Sequence, residues 1–97
     1  MALEIRLTPS ALRDMRNLYD WSVSQFGIVQ ANHYSSQIIN AIDLMAQSPG
    51  LARDASAVRQ KLYKYFSGSH VVYFRMTKKV LTIVRVLHGE QDAGNWL

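Results

Sequence analysis

Beyond a short alternating start at residues 2–7, the apolar residues of this chain change period once, at Ser48-Pro49-Gly50, and that change limits the folds open to it. Before the break, apolar side chains recur at intervals of three and four, the spacing of one helix face. After it they alternate or run together as β-branched and aromatic clusters, the habit of strands. Helices first and strands second cannot make alternating βαβ units, so the reading is an α+β domain with an antiparallel sheet. At 97 residues the chain is one domain, residues 1–97, with one core of at most two packed layers.

In detail, residues 2–7 alternate and read as a short first strand. Thr8-Pro9 then opens a helix over 9–26, with Thr8 as its cap and Pro9 at the first position, where no N–H is needed. Leu12, Met15, Tyr19 and Phe26 share a stripe of that helix, and Phe26 reads first as a core residue. Gly27 closes it, and a second helix follows over 29–48 with Ala31, Tyr34, Ile38, Ala41, Ile42 and Met45 on its apolar side. The short link makes the two an antiparallel hairpin. Residues 51–57 read as a loop. Strands are expected at 58–66, 70–76 and 80–88, joined by the turns Ser67-Gly68-Ser69 and Thr77-Lys78-Lys79 into a three-stranded antiparallel meander. The tail, 89–97, is polar up to Trp96-Leu97, and it either docks through that indole or hangs free.

Cysteine is absent, which excludes disulfides, thiol catalysis and cysteine-based metal centres. His33, His70 and His88 are scattered and match no finger or HExxH spacing, so no metal and no cofactor is expected. The longest apolar run is a few residues, and the first residues lack a signal-peptide pattern, so a cytoplasmic protein without a membrane span is expected. Residues 1–50 carry a net charge of −1 and residues 51–97 a net charge of +5. Such a basic half either attracts a polyanion or is a solvated face. If 58–66 is one strand, Arg59, Lys61, Tyr63 and Tyr65 share a face, with cations for phosphates and rings for bases. The alternative is an exposed face of cross-strand pairs. His88 ends the last strand near Glu90 and Asp92, where it serves as an acid–base group or as a hydrogen-bonded structural histidine. Arg75 and Arg85 lie in apolar strands and need partners or a groove. Asp14 and Asp20 read as solvated charges. The last two strands are apolar on both faces, so the sheet is covered twice or one face awaits a partner.

Several stretches carry a family likeness: Leu7-Thr8-Pro9-Ser10-Ala11-Leu12 with Leu18-Tyr19; Phe26-Gly27 with Gln30-Ala31 and Tyr34; Pro49; and Tyr73-Phe74-Arg75 ahead of Ile83-Val84-Arg85-Val86-Leu87-His88-Gly89. In that order they resemble the RelE/ParE superfamily of toxins from bacterial type II toxin–antitoxin modules. The resemblance implies either of two activities. RelE-like members cut mRNA on the ribosome with a basic cluster on the sheet and a tyrosine or histidine near the C-terminus. ParE-like members inhibit DNA gyrase without that constellation. In this chain Lys61 or Lys64 stands for a RelE lysine, His70 for the arginine that opens the next strand, and His88 for the histidine of some ribonuclease relatives. No tyrosine follows Tyr73, and Gly89 stands where those relatives carry one. The pairs Phe26-Gly27, Gln30-Ala31 and Leu87-His88 look more like ParE.

The resemblance therefore implies a gyrase-inhibiting toxin that blocks replication and is more a binding protein than an enzyme, neutralised by a cognate antitoxin in a hetero-oligomeric complex. Its target-binding candidates are Arg59, Lys61, Lys64, Arg85, His88, Glu90 and Asp92, and its antitoxin-binding candidates are Trp21, Phe26, Tyr73 and Arg75. Two alternatives accompany it. One is a ribosome-dependent mRNA endonuclease using His88, Lys61, Lys64 and Arg75. The other is a non-toxic homologue that only binds antitoxin.

Overall fold

A computed structural model of the chain describes residues 2–89 and 93–97. Its elements are β1 (Glu4–Leu7), α1 (Pro9–Phe26), α2 (Ile28–Gln47), a single 3-10 turn (Pro49–Leu51), β2 (Arg53–Asp54), β3 (Tyr63–Ser67), β4 (His70–Met76), β5 (Val80–His88) and a last helical turn, α3 (Ala93–Trp96). The five strands form one sheet in the order β1-β5-β4-β3-β2. β3, β4 and β5 are the expected antiparallel meander, and β1 joins its edge parallel to β5. Among the described residues no helix is long and apolar enough to cross a membrane.

The helical hairpin forms as its end signals require. The Thr8 hydroxyl accepts from the Ala11 N–H at 3.0 Å and donates to the Val84 carbonyl at 2.8 Å, so one side chain caps α1 and ties it to β5. Gly27, at φ +88°, ends α1 and starts α2 without a spacer, a backbone state that side chains oppose. Its N–H bonds the Val23 carbonyl and its carbonyl accepts from Ala31. The hairpin lies on one face of the sheet. Ala11, Leu18, Ile38, Ile42 and Met45 there meet Val72, Phe74, Leu81, Ile83 and Val86 in the main core. Burying a side chain such as Phe74 or Ile38 stabilises the fold by about 1.5–3 kcal/mol.

Three expectations fail locally. The strand expected over 58–66 begins only at Tyr63. Residues 55–62 instead close a tight loop, with Ala55 N–H on the Leu62 carbonyl at 2.9 Å and Lys61 in the left-handed region at φ 61°. The stretch 51–57 is not all loop, since Arg53–Asp54 pairs with β3 as a two-residue edge strand. The alternation in the last strand also breaks. Tyr73 faces Arg85 but Phe74 faces Ile83, so Val84 is an extra residue in the ladder. Beyond this bulge the side chains change sides, which puts Leu81, Ile83 and Val86 under the helices.

The second face is covered too. Val71, Tyr73 and Leu87 meet Ala55 and Leu62 of the tight loop and Ala93 of α3, with Val58, Val84 and Leu97 packed around them. The tail therefore docks through Ala93 and Leu97, while the Trp96 side chain stays half exposed.

Candidate functional site

Two groups of candidate side chains emerge, on opposite faces of the sheet. The first lies at the end where β4 starts and β5 stops. His70 and His88 are direct cross-strand partners there, with ring centroids 5.4 Å apart and ring planes at 86°. The Gly89 N–H bonds the Ser69 carbonyl at 2.8 Å and closes the ladder beside them. Tyr34 of α2 reaches down to the same point. Its hydroxyl stands 2.7 Å from His70 Nδ1, accepts from the Ser69 N–H at 3.0 Å and lies 3.4 Å from the Ser67 carbonyl. One hydroxyl proton thus has two acceptors, and its choice sets the tautomer of His70. Burial holds the His70 pKa below the ordinary imidazole value, and the charge on His88 lowers it further.

These groups line a cleft of about 410 Å³ with Trp21, Phe26, Gln30, His33 and Ser69. Trp21 and Phe26 meet edge to face at 5.8 Å and are 56% and 63% exposed. Phe26 is therefore a surface residue: the stripe that predicts it as core has left the sheet by the end of α1. With the exposed Ile28 and Val29 it gives the hairpin an apolar tip. Asp20 is exposed, as expected.

A second cleft shares Trp21, His70 and His88 with the first and runs to Trp96 along Arg13, Asn17 and Arg85. Arg85 is where it meets the interior. Its Nε and Nη2 donate to the two carboxylate oxygens of Asp14 at 2.7 and 2.8 Å, and its Nη1 donates to the Trp96 carbonyl at 2.7 Å. The guanidinium carbon sits 5.7 Å from the Trp96 ring. Asp14 raises the Arg85 pKa chiefly through that hydrogen bonding. Asp14 also accepts the Val86 N–H at 3.0 Å, where β5 has run past the end of β1 and would otherwise present an unpaired edge. Asp14 is thus a structural residue and no solvated charge. Arg85, predicted to contact a target, is engaged inside the molecule.

The second group lies on the far face. Arg53 and Lys64, opposite each other in the β2–β3 ladder, stand 5.2 and 5.5 Å from the exposed Phe66 ring. Arg75 is exposed on β4, and Arg59 and Lys61 are exposed on the tight loop. Tyr63 and Tyr65 pack into the main core under the helices, so the expected face of Arg59, Lys61, Tyr63 and Tyr65 does not form. Nor do the ribonuclease candidates converge. His88 lies with His70 at the helix-side cleft, whereas Lys64 and Arg75 belong to the face of Tyr73. Tyr73, an antitoxin candidate by sequence, is 7% exposed and buried in the second cluster, which raises its pKa. Glu90 and Asp92 lie outside the described residues. Among the described residues no three His, Cys, Asp or Glu are placed to share a metal ion.

Sequence reasoning missed Tyr34, Asp14 and His70 as site organisers. The contacts of the first two span 36 and 71 residues of chain, and no local pattern carries them. His70 and His88 face each other only because of the Val84 bulge: the register of Phe74 on Ile83, carried to the end of the ladder, would set His70 against Leu87.

The comparisons with known proteins agree with this architecture. A family model described as the ParE toxin of the type II toxin–antitoxin system parDE matches residues 5–93. Toxin ParE1 of Mycobacterium tuberculosis (strain CDC 1551 / Oshkosh) is 30% identical over 93 residues, 95% of each chain. Toxin ParE1 of Caulobacter vibrioides is 32% identical over 88 residues, 91% of each. Among solved structures, a chain of the chromosomal ParDE system from P. aeruginosa superposes with a TM-score of 0.77 at 17% identity, covering 90% of this chain and 96% of that one. A chain of the toxin–antitoxin complex RelBE2 from Mycobacterium tuberculosis gives 0.66 at 15%, covering 91% and 99%.

Proposed function

The chain belongs to the ParE toxin family of type II toxin–antitoxin systems, and from that membership we propose that it inhibits DNA gyrase, blocks replication and is held in check by a cognate antitoxin. The toxin makes and breaks no bond itself. It binds gyrase engaged on cleaved DNA, and the trapped complex leaves double-strand breaks. One observation carries this choice over RNA cleavage: His88 on one side of the sheet and Lys64 with Arg75 on the other do not surround a common phosphodiester.

Two surfaces suit two partners. The apolar hairpin tip around Trp21 and Phe26 is where the antitoxin docks, because exposed aromatics of this size are the usual anchors of an interface. The basic far side, with Arg53, Arg59, Lys61, Lys64 and Arg75, speeds encounter with the gyrase–DNA complex. Expression of the toxin alone tests the reading in cells. Growth arrest with a DNA-damage response, relieved by co-expressed antitoxin, is the expected result. Arrest with cleaved mRNA and no DNA damage would move the activity to the ribosome, and unimpaired growth would leave a homologue that only binds antitoxin.

A further inference from the structure

We propose that His70 and His88 form a binding site for a divalent transition-metal ion of the zinc type. The ladder places the two rings directly opposite each other, and the Gly89–Ser69 hydrogen bond fixes the backbone at their end of it. A zinc–nitrogen bond of about 2.1 Å puts the centroids of two imidazoles on one tetrahedral ion about 5.2 Å apart. The observed separation is 5.4 Å, close to the spacing that such an ion would set.

Tyr34 supplies what a ligating histidine needs behind it. When its hydroxyl donates to the Ser67 carbonyl, its oxygen accepts both the Ser69 N–H and His70 Nδ1–H. Every group at that oxygen is then satisfied, and the lone pair of His70 is on Nε2, ready for an ion. Gly68 is part of the device. A Cβ there would come within 2.8 Å of the Tyr34 ring, so only glycine lets Tyr34 stand over the turn and reach His70.

The donor set selects the ion. Among the described residues the helix-side cleft is lined by imidazoles and by no carboxylate, and Asp14, the carboxylate that lines the adjoining cleft, is held by Arg85. Imidazole nitrogen favours zinc, cobalt, nickel and copper over magnesium and calcium. Two protein ligands leave two positions of a tetrahedral ion for water or for a donor from outside the chain.

Calorimetric titration of the chelator-treated chain with Zn²⁺, and visible spectra with Co²⁺, test the site. The proposal expects one ion per chain, the absorption bands of tetrahedral Co²⁺, and at least a tenfold loss of affinity in both His88→Ala and His70→Ala. His33→Ala, on α2 in the same cleft, keeps full affinity. His88 is exposed, so its variant stays folded even if His70→Ala disturbs the Tyr34 contacts. No saturable binding, or binding that survives His88→Ala unchanged, would overturn the proposal and leave the pair as an edge-to-face aromatic contact.

Discussion

Replacing Asp14 with alanine removes three hydrogen bonds at once, two from Arg85 and one from the Val86 backbone. The pair is largely buried, with side chains 18% and 12% exposed, so the loss strands a guanidinium as well as a strand edge. Removing one partner of such a pair costs about 3–5 kcal/mol, and urea unfolding of Asp14→Ala is expected to show a loss of that order. Asp14→Asn keeps an acceptor and loses less. His70 gives a second expectation at this scale. Its pKa is lower folded than unfolded, so the unfolded chain binds more protons as the pH falls below the ordinary value of 6.5. Its contribution is therefore whole above that pH and declines below it, until the folded form also protonates. With chelator present, denaturant melts between about pH 8 and pH 5 should show stability falling, and His70→Gln should flatten that slope. Neither residue announced this in sequence: Asp14 looks like any helix carboxylate until its partner arrives from 71 residues away.

The elements themselves were mostly legible. Thr8-Pro9 and Gly27 carry the chemistry that starts and stops helices, and the period change at Ser48-Pro49-Gly50 separates hairpin from sheet. What failed to read were interruptions made by tertiary contact. Residues 58–62 alternate like a strand but leave it at Lys61, whose left-handed backbone turns the chain into the loop that Ala55 and Leu62 close. The Val84 bulge is invisible in a run of β-branched residues, yet it decides which side each later residue faces. The turn between β3 and β4 offers a test. Gly68 is at φ +57° and lies against Tyr34, so Gly68→Ala meets both an unfavourable backbone and a clash. A loss of about 1–3 kcal/mol is expected in thermal or urea melts. Tyr34→Phe, which keeps the ring and drops its hydrogen bonds, should cost about 1 kcal/mol.

At the scale of the whole molecule, the structure separates an apolar tip and a basic face that the linear sequence mixes. The apolar hairpin tip is at one end of the helical layer, and the cations lie on the far face of the sheet. Changing the exposed Trp21 and Phe26 together to serine should leave stability within about 0.5 kcal/mol per site while weakening capture by antitoxin in a binding titration. The division of the cations from His88 also bears on mechanism, since the chemistry of RNA cleavage needs them together. The resemblance could be read from the order of short motifs, whereas this division needed three dimensions. The most direct measurement incubates purified gyrase, ATP and relaxed plasmid with the toxin, then denatures the reaction to reveal trapped breaks. Gyrase-dependent linear plasmid, undiminished by His88→Ala, is the predicted result; normal supercoiling with no linear product, and mRNA cut on programmed ribosomes instead, would contradict it.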